Sequence, residues 1–70
     1  MKQPHTFAER LRFRREELSL TQVVLAKRAG MHQSGVAHLE SGTRRPTAET
    51  LEKLAVALDV GMDWLSGRKR

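Results

Sequence analysis

Three groups of side chains in this 70-residue sequence are suited to chemistry: three histidines, a few helix-end carboxylates, and the amides, hydroxyls and arginines between positions 21 and 46. The histidines do not make a metal site. His32 and His38 stand six positions apart, off the i, i+4 spacing that sets two ligands on one helix face. The carboxylate pairs Glu49 with Glu52 and Asp59 with Asp63 fall at helix ends, with no cysteine and no activated serine to serve. The chain therefore reads as a non-enzyme without metal or cofactor. The third group remains. Gln33, Ser34, His38 and Ser41 carry short, uncharged hydrogen-bonding groups, and Arg44 and Arg45 follow in a loop. Such groups suit base edges and phosphates.

Helices must position these groups, because the apolar spacing is helical and no stretch alternates with period two. Phe7, Leu11 and Leu18 share a face of the first segment, which Thr6 can cap with Glu9 at the capping-box position. Thr21 caps a second helix, Gln22 to Ala29, burying Leu25, Ala26 and Ala29, and Gly30 stops it. A third helix spans about Gln33 to Ser41 and ends at Gly42. The loop Thr43–Arg44–Arg45–Pro46 is basic. Thr47 caps a fourth helix with Leu51, Leu54, Ala55 and Leu58 on one face, and Glu49 in its first turn suits the helix dipole. After an Asp59–Val60–Gly61 turn, a last short helix covers about Met62 to Leu65, with Trp64 closing the bundle. Met31 and Met62 read as core or interface filler. The prediction is all-α: a compact five-helix bundle containing a helix-turn-helix, one domain over 1–70 with its core at about 6–66 and a basic tail at 67–70.

Composition agrees. At this length folding buries only about 60% of the unfolded surface, which leaves room for one small core and little for a catalytic cleft. Cysteine is absent, which excludes a disulfide scaffold and a cysteine zinc finger. No apolar run approaches the ~20 residues of a membrane span, and no signal peptide is visible. The expectation is a cytoplasmic protein with no membrane partner. Thirteen Lys and Arg against eight Asp and Glu give a net charge of +5, which favours a polyanionic partner. Arg10, Lys27, Arg44, Arg45 and the tail are the cations expected to meet it. A cationic helix lying on a membrane surface is the competing reading from another class.

The informative stretch is TQVVLAKRAGMHQSGVAHLESGTRRP, residues 21–46. Gly30–Met31–His32 is a three-residue connection, right for a helix-turn-helix. On the third helix Val36, Leu39 and Glu40 take one face, and Gln33, Ser34, Ala37, His38 and Ser41 the other. An ordinary solvated face carries Lys and Glu. A face entering a DNA groove needs small groups and amides, since a carboxylate would repel phosphate, and glutamine matches the N7 and N6 edge of adenine. Gly35 would let the backbone approach DNA closely, at about 1 kcal/mol relative to alanine.

With Leu20–Thr21–Gln22, Leu25–Ala26, Gly30, Val36, Leu39–Glu40, Ser41–Gly42, Arg45–Pro46, Leu51, Leu54–Ala55, Leu58 and Trp64–Leu65, the sequence resembles the Cro/repressor helix-turn-helix family over about residues 7 to 66. The resemblance implies a five-helix domain, a homodimer repressing transcription at a palindromic operator in double-stranded DNA, with helix 3 in the major groove. It implies a phosphate contact for Gln22, which would also brace Gln33, and base reading by Gln33, Ser34 and His38. With Gly35, Ala37, Thr43, Arg44 and Arg45 these make up the expected DNA-binding set. It also implies an ion pair between Arg15 and Glu40, and dimerisation through helix 5 and the loop before helix 4. The sequence departs from the family pattern at Phe13, Arg14, Val23, Val24, His32 and Gly35. Phe13, Val23 and Val24 keep an antitoxin-type alternative open, a DNA-binding protein that also binds a toxin. A C-terminal effector domain is a further partner of some relatives, so the chain is a stand-alone regulator or a truncated N-terminal domain.

Overall fold

Three threonines start three of the helices. In the computed structural model, which describes residues 3–67, the elements are α1 (Phe7–Glu17), α2 (Gln22–Ala29), α3 (Gln33–Ser41), α4 (Ala48–Leu58) and α5 (Met62–Ser66). Thr6 Oγ1 accepts the Glu9 backbone N–H at 3.1 Å, and Glu9 Oε1 accepts the N–H groups of Thr6 and His5, completing a capping box. Thr21 and Thr47 accept from Val24 and Thr50, each at 3.1 Å. Each cap contributes about 1 kcal/mol. His32 and Gly61 begin α3 and α5 without a side-chain cap, so these short helices depend on packing.

The helix ends use the left-handed conformation. Gly30 stops α2 at φ +68°, and its N–H together with that of Met31 satisfies the last carbonyls of the helix. Asp59 does the same for α4 at φ +56° without being glycine. Gly67 ends α5 at φ +76°, where a Cβ would stand 2.8 Å from the His5 carbonyl oxygen. Glycine is required there twice over, by conformation and by the N-terminal segment packed against it.

Among the described residues the fully buried set is entirely apolar: Leu11, Leu25, Ala26, Ala29, Val36, Leu39, Leu54, Ala55, Leu58 and Leu65. Phe7, Leu18, Leu20, Met31, Leu51 and Trp64 pack around it. Helix α2 packs on α3 and α4, α1 on α3 and α5, and α4 on α5. The radius of gyration, 10.8 Å, matches the ~11 Å expected of a compact chain of this size. Met62 is 39% exposed, so it lies at the surface and not in the core. No helix among the described residues is long and apolar enough to cross a membrane.

Three arginines of α1 each reach a carbonyl in another segment. Arg10 Nη1 donates to the Trp64 carbonyl at 2.7 Å and Nε to that of Pro4, while its guanidinium lies 5.1 Å from the centre of the Trp64 ring. Arg14 Nε donates to the Leu58 carbonyl at 2.9 Å, and Arg15 Nη1 to that of Leu20 at 2.8 Å. The Leu58 carbonyl, in the last turn of α4, gains a partner in this way. Arg10, expected among the DNA-facing cations, is a fastener between α1 and α5 instead, because a helix-end carbonyl and an aromatic face lie within its reach.

Candidate nucleic-acid interface

The turn Gly30–Met31–His32 joins α2 to α3 and leaves one side of α3 open. Val36 and Leu39 are buried in the core. Gln33, Ser34, His38 and Ser41 are exposed, and Ala37 and Gly35 are half-buried. This sorting follows from the 3.6-residue period: two apolar residues three apart anchor the inner face, and the polar residues are carried outward.

The electrostatics of this stretch depend on Glu40. Between residues 21 and 46 it is the single carboxylate, against Lys27, Arg28, Arg44 and Arg45. Its side chain is only 6% exposed and turns inward to Arg15, with Oε2 2.6 Å from Nε and Oε1 3.0 Å from Nη2. Gln22 Nε2 donates to Oε1 at 3.1 Å. The negative charge is thus matched and removed from the outer face. The four cations are exposed. Among the described residues Gln33, Ser34, Arg44 and Arg45 have no side-chain partner, so their donors face solvent.

One expected role changes. Gln22 braces Glu40 and not Gln33, because the carboxylate is the stronger acceptor within reach. A Cβ at Gly35 would meet only the Met31 methyl, at 3.1 Å, so the open side of this glycine faces the turn. Thr43 folds back on the end of α3, with its hydroxyl 3.3 Å from His38 Nδ1 and 2.9 Å from Ser41 Oγ. Arg44 and Arg45 stand exposed just beyond. Phe13, Val23 and Val24 are exposed at 40, 44 and 38%, and Val56, which sequence reasoning did not single out, at 76%. Arg68–Arg70, the basic tail, lie outside the described residues.

A short turn, an apolar-backed helix with an open uncharged face and a basic loop beside it define a helix-turn-helix domain. The chain belongs to the helix-turn-helix family, whose model matches residues 11–65. It is 38% identical over 60 residues to the cryptic phage CTXphi transcriptional repressor RstR of Vibrio cholerae, covering 86% of this chain and 54% of that protein. Its structure superposes on the restriction-modification controller protein C.AhdI of Aeromonas hydrophila with a TM-score of 0.82 and 37% identity, over 84% of this chain and 89% of that one. It also resembles the P22 c2 repressor protein in complex with a synthetic operator, with a TM-score of 0.82 and 32% identity over 86% and 91% of the two chains. The chain spans about half the length of the relatives it matches in sequence.

Proposed function

We propose that this domain binds double-stranded DNA sequence-specifically and represses transcription, with α3 in the major groove and no catalytic activity. One observation carries the reading: α3 presents an uncharged, hydrogen-bonding face while its single carboxylate is turned inward and held by Arg15 and Gln22. Besides tying three helices, the inward carboxylate leaves the outer face with no negative charge to repel phosphate, as a helix lying among phosphates requires. The similarity to RstR and to the operator-bound c2 repressor supports the same reading.

Gln33, at the first turn of α3, reads a base edge, and Ser34 and His38 lie on the same face. Arg44 and Arg45 contact phosphates, which position the protein without specifying sequence. The domain acts as a two-fold dimer through α5 and the loop before α4, where Met62 is an exposed apolar side chain. Two copies of α3 then stand about 34 Å apart, one turn of the double helix.

Selection of bound sites from a random DNA pool, followed by footprinting, tests both parts. The expected result is a palindromic motif with half-site centres about 10 base pairs apart. Absence of any enriched motif overturns the DNA reading, and an asymmetric single half-site at every protein concentration overturns the dimer.

A further inference from the structure

The last turn of α3 carries a hydrogen-bond cluster around the His38 ring and carbonyl. Ser41 Oγ lies 3.0 Å from the His38 carbonyl oxygen, and Thr43 Oγ1 lies 3.2 Å from the same oxygen. The two hydroxyl oxygens are 2.9 Å apart, and Thr43 Oγ1 is 3.3 Å from His38 Nδ1. Each hydroxyl supplies one hydrogen, and a neutral imidazole carries one, on either nitrogen. With the proton on Nε2, the single Thr43 hydrogen goes either to Nδ1 or to the His38 carbonyl, and the other contact holds none. Ser41 can then serve the carbonyl or Thr43 but not both, so two of the four contacts are hydrogen bonds. With the proton on Nδ1, the ring donates to Thr43 Oγ1, Ser41 donates to the carbonyl, and the Thr43 hydrogen is shared between the carbonyl and Ser41. The second arrangement makes one more hydrogen bond from the same atoms, and tautomers are assigned on such counts.

We infer that Thr43 and Ser41 hold neutral His38 as the Nδ1–H tautomer, so that Nε2, on the far side of the ring, is an acceptor that selects a base presenting an exocyclic amine. In the major groove that is adenine N6 or cytosine N4, whereas guanine N7 and O6 and thymine O4 are themselves acceptors and oppose it. The inference rests on the reading that α3 faces DNA. Thr43 is then a positioning residue that acts through the ring. It also accounts for a threonine two residues past the helix end that folds back onto α3 while the neighbouring Arg44 and Arg45 point away into solvent.

Two measurements test it. The first needs no DNA: long-range 1H–15N correlation of the imidazole in 15N-labelled protein at about pH 8.5, where an ordinary imidazole is neutral. The expected result is a protonated Nδ1 and an unprotonated Nε2 in the wild type, shifting toward Nε2–H in Thr43→Val. A wild type in the Nε2–H form, or a tautomer indifferent to Thr43→Val, overturns the inference. The second is site selection at the same pH with wild type, His38→Ala and Thr43→Val. The wild type should prefer adenine or cytosine at one position per half-site by about tenfold, and both variants should lose that preference while keeping the rest of the motif. A guanine or thymine preference that His38→Ala removes overturns the acceptor assignment. A uniform loss across all sequences in Thr43→Val overturns the positioning role and marks Thr43 as a phosphate contact. A wild-type motif with the wrong tautomer sinks only this inference, whereas no motif at all sinks the DNA reading and the base assignment with it.

Discussion

Arg15 and Glu40 form a two-pronged ion pair between the last turn of α1 and the last turn of α3, with Nε 2.6 Å from Oε2 and Nη2 3.0 Å from Oε1. The side chains are 13 and 6% exposed. The third prong, Nη1, reaches the Leu20 carbonyl, and Gln22 closes the other side of the carboxylate. The pair thus ties α1, the start of α2 and the end of α3 at one point directly behind the outer face. The hydrogen bond to Glu40 raises the Arg15 pKa, against the opposing effect of burial. A raised folded-state pKa means a contribution fully present below the unfolded value and lost only as pH rises through the folded one. For arginine that lies beyond the ordinary alkaline range.

Arg15→Met should cost roughly 3 kcal/mol, because the Glu40 carboxylate is left buried without its cation. Arg15→Met with Glu40→Leu should recover much of the loss, since replacing both partners of a buried pair by apolar groups is often near neutral. Recovery should be incomplete, because the Leu20 carbonyl and the Gln22 amide lose partners in the double variant. Denaturant unfolding of the four proteins gives the coupling. The coupling should be the same at about pH 7 and about pH 10, given the direction of the Arg15 shift. Wild-type midpoints in both variants would show that the pair is energetically idle.

DNA affinity should fall steeply with salt, with log K against log salt near −5 for about six phosphate contacts per dimer. The structure sharpens which cations matter. Arg44→Ala, one per protomer, should make the slope shallower by about 2, because each dimer loses two contacts. Arg10→Met should leave the slope unchanged and lower stability by about 1–2 kcal/mol, through the lost carbonyl bonds and the contact with Trp64. Titrations over a range of salt with both variants separate the roles. A slope near zero for the wild type would count against nucleic acid as the partner.

Local chemistry made much of the fold legible before the structure. Thr6, Thr21 and Thr47 marked helix starts, and Gly30 and Gly42 marked stops, since these residue types do at helix ends what others cannot. The inner and outer faces of α3 followed from its period. Long side chains are where sequence reading failed. The Arg15–Glu40 pair was expected through the resemblance and is present, but nothing in the spacing of Arg10 and Arg14 says that one grips Trp64 and the other Leu58, because each target lies on a segment brought near only by folding. Asp59 hid the left-handed end of α4, since only a structure shows a non-glycine in that conformation. The resemblance paired Gln22 with Gln33, whereas the fold sets the Gln22 amide 3.1 Å from Glu40 Oε1, a partner that sequence order does not bring near.

Gly35→Ala should stabilise the domain. Alanine inside α3 gains up to about 1 kcal/mol of helix propensity over glycine. The added Cβ meets only the Met31 methyl, at 3.1 Å, the end of a flexible side chain that can shift by a few tenths of an ångström. Thermal unfolding should show a rise of several degrees, roughly 4–8 °C per kcal/mol for a domain of this size. DNA affinity should stay within about twofold, because the added Cβ lies toward Met31 and the turn. A large loss of affinity with a stable fold would show that Gly35 serves close approach to DNA.

Gln33 and Gln22 should separate base reading from placement. Gln33 is exposed at the first turn of α3, and no partner among the described residues holds its amide, so both the donor and the acceptor remain for a base edge. Gln33→Ala should cost about 1–3 kcal/mol on the preferred site and relax the preference at one base pair per half-site. Gln22 differs because its Nε2 already donates to Glu40. One amide hydrogen remains, suited to a phosphate, and Gln22→Ala also loosens the carboxylate that α3 keeps turned inward. Its effect should be a weaker affinity spread evenly over sequences, since phosphate contacts position and do not specify. It should also cost about 1 kcal/mol of stability, as the loss of one hydrogen bond to a carboxylate. Site selection with wild type and both variants at one salt concentration gives the comparison, with unfolding curves beside it. If Gln33→Ala leaves the selected motif intact, α3 does not read bases through its first turn. If Gln22→Ala changes the motif at a single base pair, the glutamine bound to Glu40 is itself a reader, and the division of labour between the two helix starts is the reverse of the one drawn from their partners.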